Sequence, residues 1–190
     1  MQSRSPCTCA AAVESLVEPV ASDHNLRAAR DAYFAENGFT LADYSAQTVT
    51  IKAFGLALVL PNGPGRQWAV SQHDLHHVAT GFGTDLVGEG ELAAWELGAG
   101  CRRGVVYALN AMAFTAGFLL APLRVLRAFR LGRGQRTLYR HPREYEALLD
   151  QTVGELRRHL GLPDFGLADK PRKLHEDAWK ALHRSVQPKR

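Results

Sequence analysis

A chain of 190 residues with 46% hydrophobic content is long enough for one well-buried core, and a single domain is expected. Its three cysteines, two of them (Cys7 and Cys9) in a polar N-terminal tail, form neither a disulfide framework nor a CxxC zinc pair and fit a reducing compartment. The net charge of +4 says less than its distribution: residues 1–96 carry 5 basic and 11 acidic side chains, residues 97–143 carry 9 Arg and no acid, and 144–162 and 163–190 sum to −2 and +3. A basic band this local implies a local partner.

The N-terminal segment Met1–Ala12 lacks the apolar run of a secretory signal and is too poor in Arg for a mitochondrial presequence, so no targeting segment is expected there. Residues 10–20 and 24–37 read as helices. The second has Asp23 as its predicted N-cap, Asn37-Gly38 as its stop, and Leu26, Ala29, Tyr33 and Phe34 on one buried face. Residues 41–60 are less clear. Thr48-Val49-Thr50-Ile51 has strand propensity, but Phe54–Leu60 also suits a buried helix, and helix is the reading adopted. Pro61-Asn62-Gly63-Pro64-Gly65 is a break. A helix over about Gln67–Thr80, a turn over Gly81–Asp85 and a second helix over Leu86–Gly98 follow, with Leu92 and Trp95 on the packed side of the second.

Gly104–Leu123 holds twenty consecutive uncharged residues. As one helix it would measure about 30 Å, which is bilayer-spanning length. Asn110, Thr115, Gly117 and Pro122 dilute it and no second such segment exists, so a helix buried at the centre of the domain is preferred to a span. Arg124, Arg127, Arg130, Arg133 and Arg136 then recur at intervals of three, a spacing that drifts around a helix and coats a broad surface. A solvated helix end, where cations suit the macrodipole, and an anion-binding or membrane-facing surface are both open readings. Only Phe129 and Tyr139 interleave as aromatics and no nucleic-acid motif occurs, so nucleic acid is set aside as a partner.

Pro142 is predicted to open a last long helix with Glu144 and Glu146 near its start. Its apolar stripe is Tyr145, Leu148, Leu149, Thr152, Val153, Leu156 and Leu160, and Gly161 and Pro163 stop it. Residues 163–190 read as a polar tail with one short helix around Leu174–Val186. Neither GxGxxG nor a P-loop is present. The expected fold class is mainly α, a single-domain, bundle-like fold with a central apolar helix.

Chemistry concentrates in one place. His73-Asp74-Leu75-His76-His77 is followed, twelve residues after His77, by Glu89. On a helix His73 and His77 project from one face a turn apart, and the Gly81–Gly88 segment can return Asp74 and Glu89 to the same point. Two imidazoles converging with one or two carboxylates are the donor set of a divalent metal. Spacing leaves His76 and His77 as competing candidates, since both share a face with His73. His24, His141, His159, His175 and His183 stand alone in polar segments and are expected at the surface. Ser71 has no GxSxG around it, and Cys101, although flanked by Arg102 and Arg103, reads as a buried inert thiol. Any catalysis is therefore expected through the metal or through Asp74 and Glu89 as acid and base groups.

The order and spacing His73-Asp74-x-x-His77-x11-Glu89, with Gly81 after the pentad and Gly88 before the Glu, resemble the HDxxH-x11-E signature of the Coq-four family of ubiquinone (coenzyme Q) biosynthesis proteins. Gly117–Gln135 is similar to that family's apolar-then-basic stretch, and Leu138-Tyr139 with Tyr145–Leu162 to its late helix. The resemblance covers roughly residues 45–165, strongly at 73–98. It divides the chain into an unmatched N-terminal helical extension at 1–40, a family-like metal- and lipid-binding domain at 41–162, and the polar tail at 163–190. Departures are His76 where the family has a more hydrophobic residue, Trp95-Glu96 near a frequent Phe-Glu, and Gly83 in place of a frequent Pro.

The resemblance implies His77 over His76 and a divalent metal, usually zinc, held by His73, Asp74, His77 and Glu89 beside a pocket for a polyprenyl chain. It further implies peripheral attachment to an anionic membrane surface, with Arg124, Arg127, Arg130 and Arg133 as the surface facing it. The expected location is the cytoplasmic face in a bacterium, or the matrix side of the inner membrane in an organelle. Other ubiquinone-biosynthesis proteins and a second copy in a homodimer are the expected partners. Three function classes follow: an enzyme of oxidative C1 decarboxylation acting on a polyprenylated hydroxybenzoate, a lipid-binding scaffold without catalysis, and a metal-dependent hydrolase of the HD type. The last is weakest, because such hydrolases need further His and Asp ligands, and only His24 precedes the pentad as a further His.

Overall fold

A computed structural model describes residues 20–53, 56–101 and 104–168; Cys7, Cys9 and the helices predicted at 10–20 and Leu174–Val186 lie outside the described residues. The order of elements is α1 Leu26–Asn37, α2 Leu41–Ser45, β1 Thr48–Ala53, β2 Leu56–Pro61, α3 Pro64–Thr80, α4 Leu86–Ala99, α5 Val105–Leu120, α6 Pro122–Gly132, α7 Tyr145–Leu149 and α8 Val153–Leu160. The protein is mainly helical, as its composition and periodicity predict.

Local chemistry sets most boundaries. Helix α1 is capped by Asn25, whose side chain accepts from the Ala28 N–H at 3.2 Å, and not by Asp23 two residues earlier. Pro64 occupies the first turn of α3, where its missing N–H costs nothing, and Gly81 ends the helix in the left-handed region. The Asp85 carboxylate accepts from Val87 and Gly88 and so starts α4 with Glu89 in its first turn.

The segment 41–60 departs from the helix reading. Only α2 is helical; β1 and β2 pair antiparallel, with Thr48 opposite Pro61 and Ala53 opposite Leu56. Four successive β-branched residues, Thr48 to Ile51, lose side-chain freedom in a helix and keep it in a strand. Their propensity decides for the hairpin.

The buried centre of the domain is α4, one element earlier than the charge-free helix expected there. Leu92, Ala93, Ala94 and Trp95 have no exposed surface. Two helices close on α4 through small residues. Gly90 and Gly117 bring α4 and α5 so near that a Cβ on either would lie 2.6 Å from the other's Cα. At the α4–α6 crossing, a Cβ on Gly132 would lie 2.3 Å from the Trp95 carbonyl oxygen. Small residues at these points let backbones meet; any side chain would push them apart.

The charge-free stretch is itself divided. Helix α5 ends at Leu120 and α6 starts with Pro122, because proline disfavours the helical region for the residue before it. Among the described residues no helix is long and apolar enough to cross a membrane. Nor is α5 buried: Tyr107, Met112, Phe118, Leu119 and Leu120 are exposed, and Leu123 of α6 continues this surface at 82% exposure.

The last predicted helix is two. Of its apolar stripe Leu148, Leu149, Val153, Leu156 and Leu160 are buried and Tyr145 and Thr152 half-buried, but α7 stops at Asp150 and α8 begins after Thr152. Thr152 and Glu155 form a reciprocal capping box. The chain before α1 lies alongside the break, where His24 and Ser22 carbonyls accept from Val153 and Gly154 at 2.9 and 2.8 Å. Those N–H groups are satisfied without a continuous helix. Arg157, fully buried, ties α8 to three carbonyls: Ala79 at 2.9 Å, Val20 at 2.7 Å and Asp164 at 2.6 Å. The end of α3 is thereby fixed from below.

Candidate metal centre

Helix α3 presents His73 and His77 one turn apart, and the capped turn at 81–85 returns Glu89 on α4 over both. One ligand atom from each of His73, His77 and Glu89 lies within 4.8 Å of the others. Both imidazole Nε2 atoms are 3.3 Å from the Glu89 carboxylate, His73 from Oε2 and His77 from Oε1. The two rings meet edge to face at 4.8 Å between centroids. His77 is buried, while His73 and Glu89 keep exposed edges of 23% and 33%, so the cluster opens to one side.

The far nitrogens decide the protonation pattern. His77 Nδ1 is 3.0 Å from the Phe82 carbonyl oxygen, which only accepts, so that nitrogen carries the proton. His73 Nδ1 is 3.0 Å from Glu96 Oε1, an acceptor of the same kind. The His77 Nε2 lone pair is left to face Glu89, while His73 Nε2 lies within hydrogen-bond distance of Glu89 Oε2 and donates to it when the ring is protonated. His77 Nε2, close to Glu89 but not aligned for a hydrogen bond, is a buried polar atom without a hydrogen-bond partner. Buried polar atoms are rarely left so, and a ligand nitrogen awaiting its ion is one reason for it. Two imidazole nitrogens and a carboxylate oxygen suit zinc and its neighbours, with ring orientation set from behind by acceptors. The residues fit a divalent metal.

Electrostatics agree. Burial pushes the Glu89 carboxyl up, but the charges and hydrogen bonds of His77 and His73 outweigh it and hold the carboxyl at about 2. Burial likewise opposes ionisation of Glu96, and the His73 and His76 imidazoles reverse it, leaving Glu96 well below the usual carboxylate range. For His73, burial disfavours the charged form, yet Glu96 and Glu89 on its two sides raise it well above the ordinary value.

Asp74 stands apart from the group of three. Its Oδ2 accepts a hydrogen bond from the Tyr44 phenol of α2, and it is raised by burial against the pull of that bond and of His73 and His77. Tyr33 of α1 stacks on His77 at 5.5 Å and also approaches Asp74, whose charge, after burial, pushes the phenol up. The opposite wall of the site is thus a carboxylate between two tyrosines.

His76, the competing candidate, points away from the cluster. Its ring is fully buried between Trp95 and Tyr139, with Nδ1 2.7 Å from Glu96 Oε1 and Nε2 accepting from the Leu138 N–H at 3.0 Å. Burial, outweighing Glu96, lowers its pKa. Glu96 itself escaped the sequence reading as a site residue. A signal existed: it lies seven residues, two turns, after Glu89 and so on the same face of α4.

Of the basic band, Arg124 is engaged. Its guanidinium grips Glu91 of α4 with two hydrogen bonds of 2.9 and 2.6 Å, an acid supplied from outside the acid-free segment. Arg127, Arg130 and Arg133, further along the same segment, have exposed side chains. Cys101 is half-buried and not enclosed, contrary to expectation; burial, followed by the Glu96 charge, raises its thiol, which keeps it from being a reactive thiolate. His24 and His141 are at the surface, and half-buried His159 spends its Nε2 on the His141 carbonyl oxygen at 3.2 Å.

Fold and site together define a helical protein with a His, His, Glu cluster at the junction of its two central helices. Comparison with protein-family models, characterised proteins and solved structures gives no match to the chain.

Proposed function

We propose that this chain is a divalent-metal protein of a membrane surface that acts on, or presents, a polyprenylated hydroxybenzoate in ubiquinone biosynthesis. The observation that carries the metal is the buried, unpartnered His77 Nε2 beside Glu89, with His73 Nε2 on the carboxylate's other oxygen. The pathway rests on the HDxxH-x11-E spacing alone.

His73, His77 and Glu89 hold the ion, zinc by donor chemistry, with the Asp74 carboxylate adjacent as a fourth donor or as a base. Bound there, the metal supplies a Lewis acid that polarises a substrate oxygen. The exposed edges of His73 and Glu89 leave the approach from solvent open, and the Tyr44–Asp74 pair can take up or return a proton there. In the reaction the resemblance implies, the bond from C1 to the carboxyl breaks with release of carbon dioxide and a hydroxyl takes its place; one oxygen atom of dioxygen would supply that hydroxyl, and the other would leave as water with two protons and two electrons from an external reductant.

Attachment is through α5 and α6. Tyr107, Leu119, Leu120 and Leu123 offer apolar surface, and Arg127, Arg130 and Arg133 offer charge to anionic headgroups, on the cytoplasmic face of a bacterial membrane or the matrix side of an organellar one. Other biosynthetic proteins, or a second copy in a homodimer, would meet the chain on this same side. A second reading is a lipid-binding scaffold in which the metal serves structure only; the exposed apolar side chains of α5 and α6 serve it as well as the first.

The test is to quantify metal in purified protein and in His77→Ala and Glu89→Ala. Stoichiometric metal in the wild type, lost in both variants, is expected; variants that keep it refute the site. Incubation with prenylated acid labelled at the carboxyl carbon, metal and oxygen then separates the two readings, since a scaffold releases no label.

A further inference from the structure

We propose that Glu96 is the positioning residue that makes His73 a ligand, and that Asn110 on α5 holds Glu96 in place to do it; this rests on the metal reading above. An imidazole binds a metal through one nitrogen only if its proton stays on the other. Among the described residues the partner of His73 Nδ1 is Glu96 Oε1, at 3.0 Å. Without that acceptor the ring can carry its proton on Nε2 or turn away from Glu89.

A fully buried carboxylate stays ionised only with several donors, and Glu96 has them. His76 donates from Nδ1 at 2.7 Å, and its direction is not reversible, because His76 Nε2 already accepts the Leu138 N–H. Asn110 donates from Nδ2 to the second oxygen at 2.6 Å. Asn110 is itself buried, the one polar side chain of α5 turned towards α4. Three helices, α3, α4 and α5, therefore converge on one carboxylate whose free direction is His73. The arrangement is that of the acceptors that stand behind metal-bound histidines generally.

The experiment compares wild type, Glu96→Gln and Asn110→Ala by zinc affinity and by NMR of the His73 imidazole proton. Glu96→Gln keeps shape and loses charge. It is expected to weaken zinc binding about 10- to 100-fold, the usual range for such partners. Asn110→Ala, which reaches the metal only through Glu96, is expected to weaken it less. In the metal-free wild type the His73 Nδ1 proton gives a downfield, slowly exchanging resonance; in Glu96→Gln it moves upfield and exchanges faster. A merely structural role would lower unfolding stability in both variants and leave that resonance unchanged in whatever folds. Wild-type affinity and an unmoved resonance in Glu96→Gln overturn the proposal. Should that variant not fold, Asn110→Ala decides alone: unaltered affinity and an unmoved resonance overturn it. A wild type that binds no zinc refutes the metal reading, while the resonance, which needs no metal, still judges the role of Glu96.

Discussion

Helix α4 carries three glutamates and lies at the centre of the molecule, whereas α5 carries no charge at all and keeps much of its surface in the open. Burial here follows partners and not hydrophobicity. Each acid of α4 has an answer: Glu89 the two imidazoles, Glu91 the Arg124 guanidinium, Glu96 two histidines and an asparagine. The glycines of α4 supply the rest, because they admit α5 and α6 closely enough to exclude water. Among the described residues of α5, Val106, Asn110 and Gly117 are buried, Phe114 is half-buried against the core, and Tyr107, Met112, Phe118, Leu119 and Leu120 are exposed. An exposed apolar surface of this kind marks a contact with something else.

The widest gap between the two helices should appear on truncation. Trp95→Ala in α4 empties a fully buried site and is expected to cost about 3–5 kcal/mol in denaturant unfolding. If that cost falls to the level of a surface substitution, α4 is not the core and the contrast collapses.

Metal gives the next effect. Ligand that binds only the folded state at roughly a hundred times its dissociation constant adds about 2.7 kcal/mol. Zinc should therefore raise the unfolding midpoint of the wild type and chelator should return it, with no such response in His77→Ala. An equal response in that variant would place the ion elsewhere.

A smaller effect belongs to the α7–α8 break. Thr152→Ala removes the N-cap of α8 and is expected to cost about 1 kcal/mol near neutral pH. The backbone N–H and hydroxyl of Thr152 hold the Glu155 carboxyl below its ordinary value of 4.5. A group depressed in the folded state contributes fully above its unfolded value and progressively less as pH falls through its folded value. The difference between wild type and variant should thus be complete above that value and shrink in acid. A difference that grows in acid would contradict the capping box.

These effects also mark what the sequence carried. Helices α3 and α4 were legible because their ends are written locally, in Pro64, Gly81 and Asp85, and His73, His77 and Glu89 come together across a single capped turn. What long-range contacts decide was not. Glu96 is read as a site residue only once α3 and α5 are known to deliver His73 and Asn110 to it. The Arg band reads as unopposed until α6 packs on α4 and Arg124 meets Glu91. The split of the last helix depends on Ser22 and His24, more than a hundred residues earlier. Asp74, which the spacing groups with the ligands, lies against Tyr44 because α2 folds over α3. In Phe54–Leu60 a uniformly apolar run carries no period, and β-branching in the partner strand settled it.

The least change in stability should come from the surface that looks most hydrophobic. Leu119 and Leu123 are 76% and 82% exposed, so replacing both with Ser removes little buried area. Surface substitutions of this kind stay within about 0.5 kcal/mol each. Their cost should fall on binding instead: the double variant is expected to lose cosedimentation with anionic vesicles that the wild type shows. Because Arg127 and Arg130 lie exposed on the same helix as Leu123, wild-type binding should also weaken as salt rises, since surface charges more than about 10 Å apart are screened at 0.1 M. Vesicle binding that survives both the serines and high salt would put the membrane contact elsewhere, and would leave the apolar face of α5 to a protein partner.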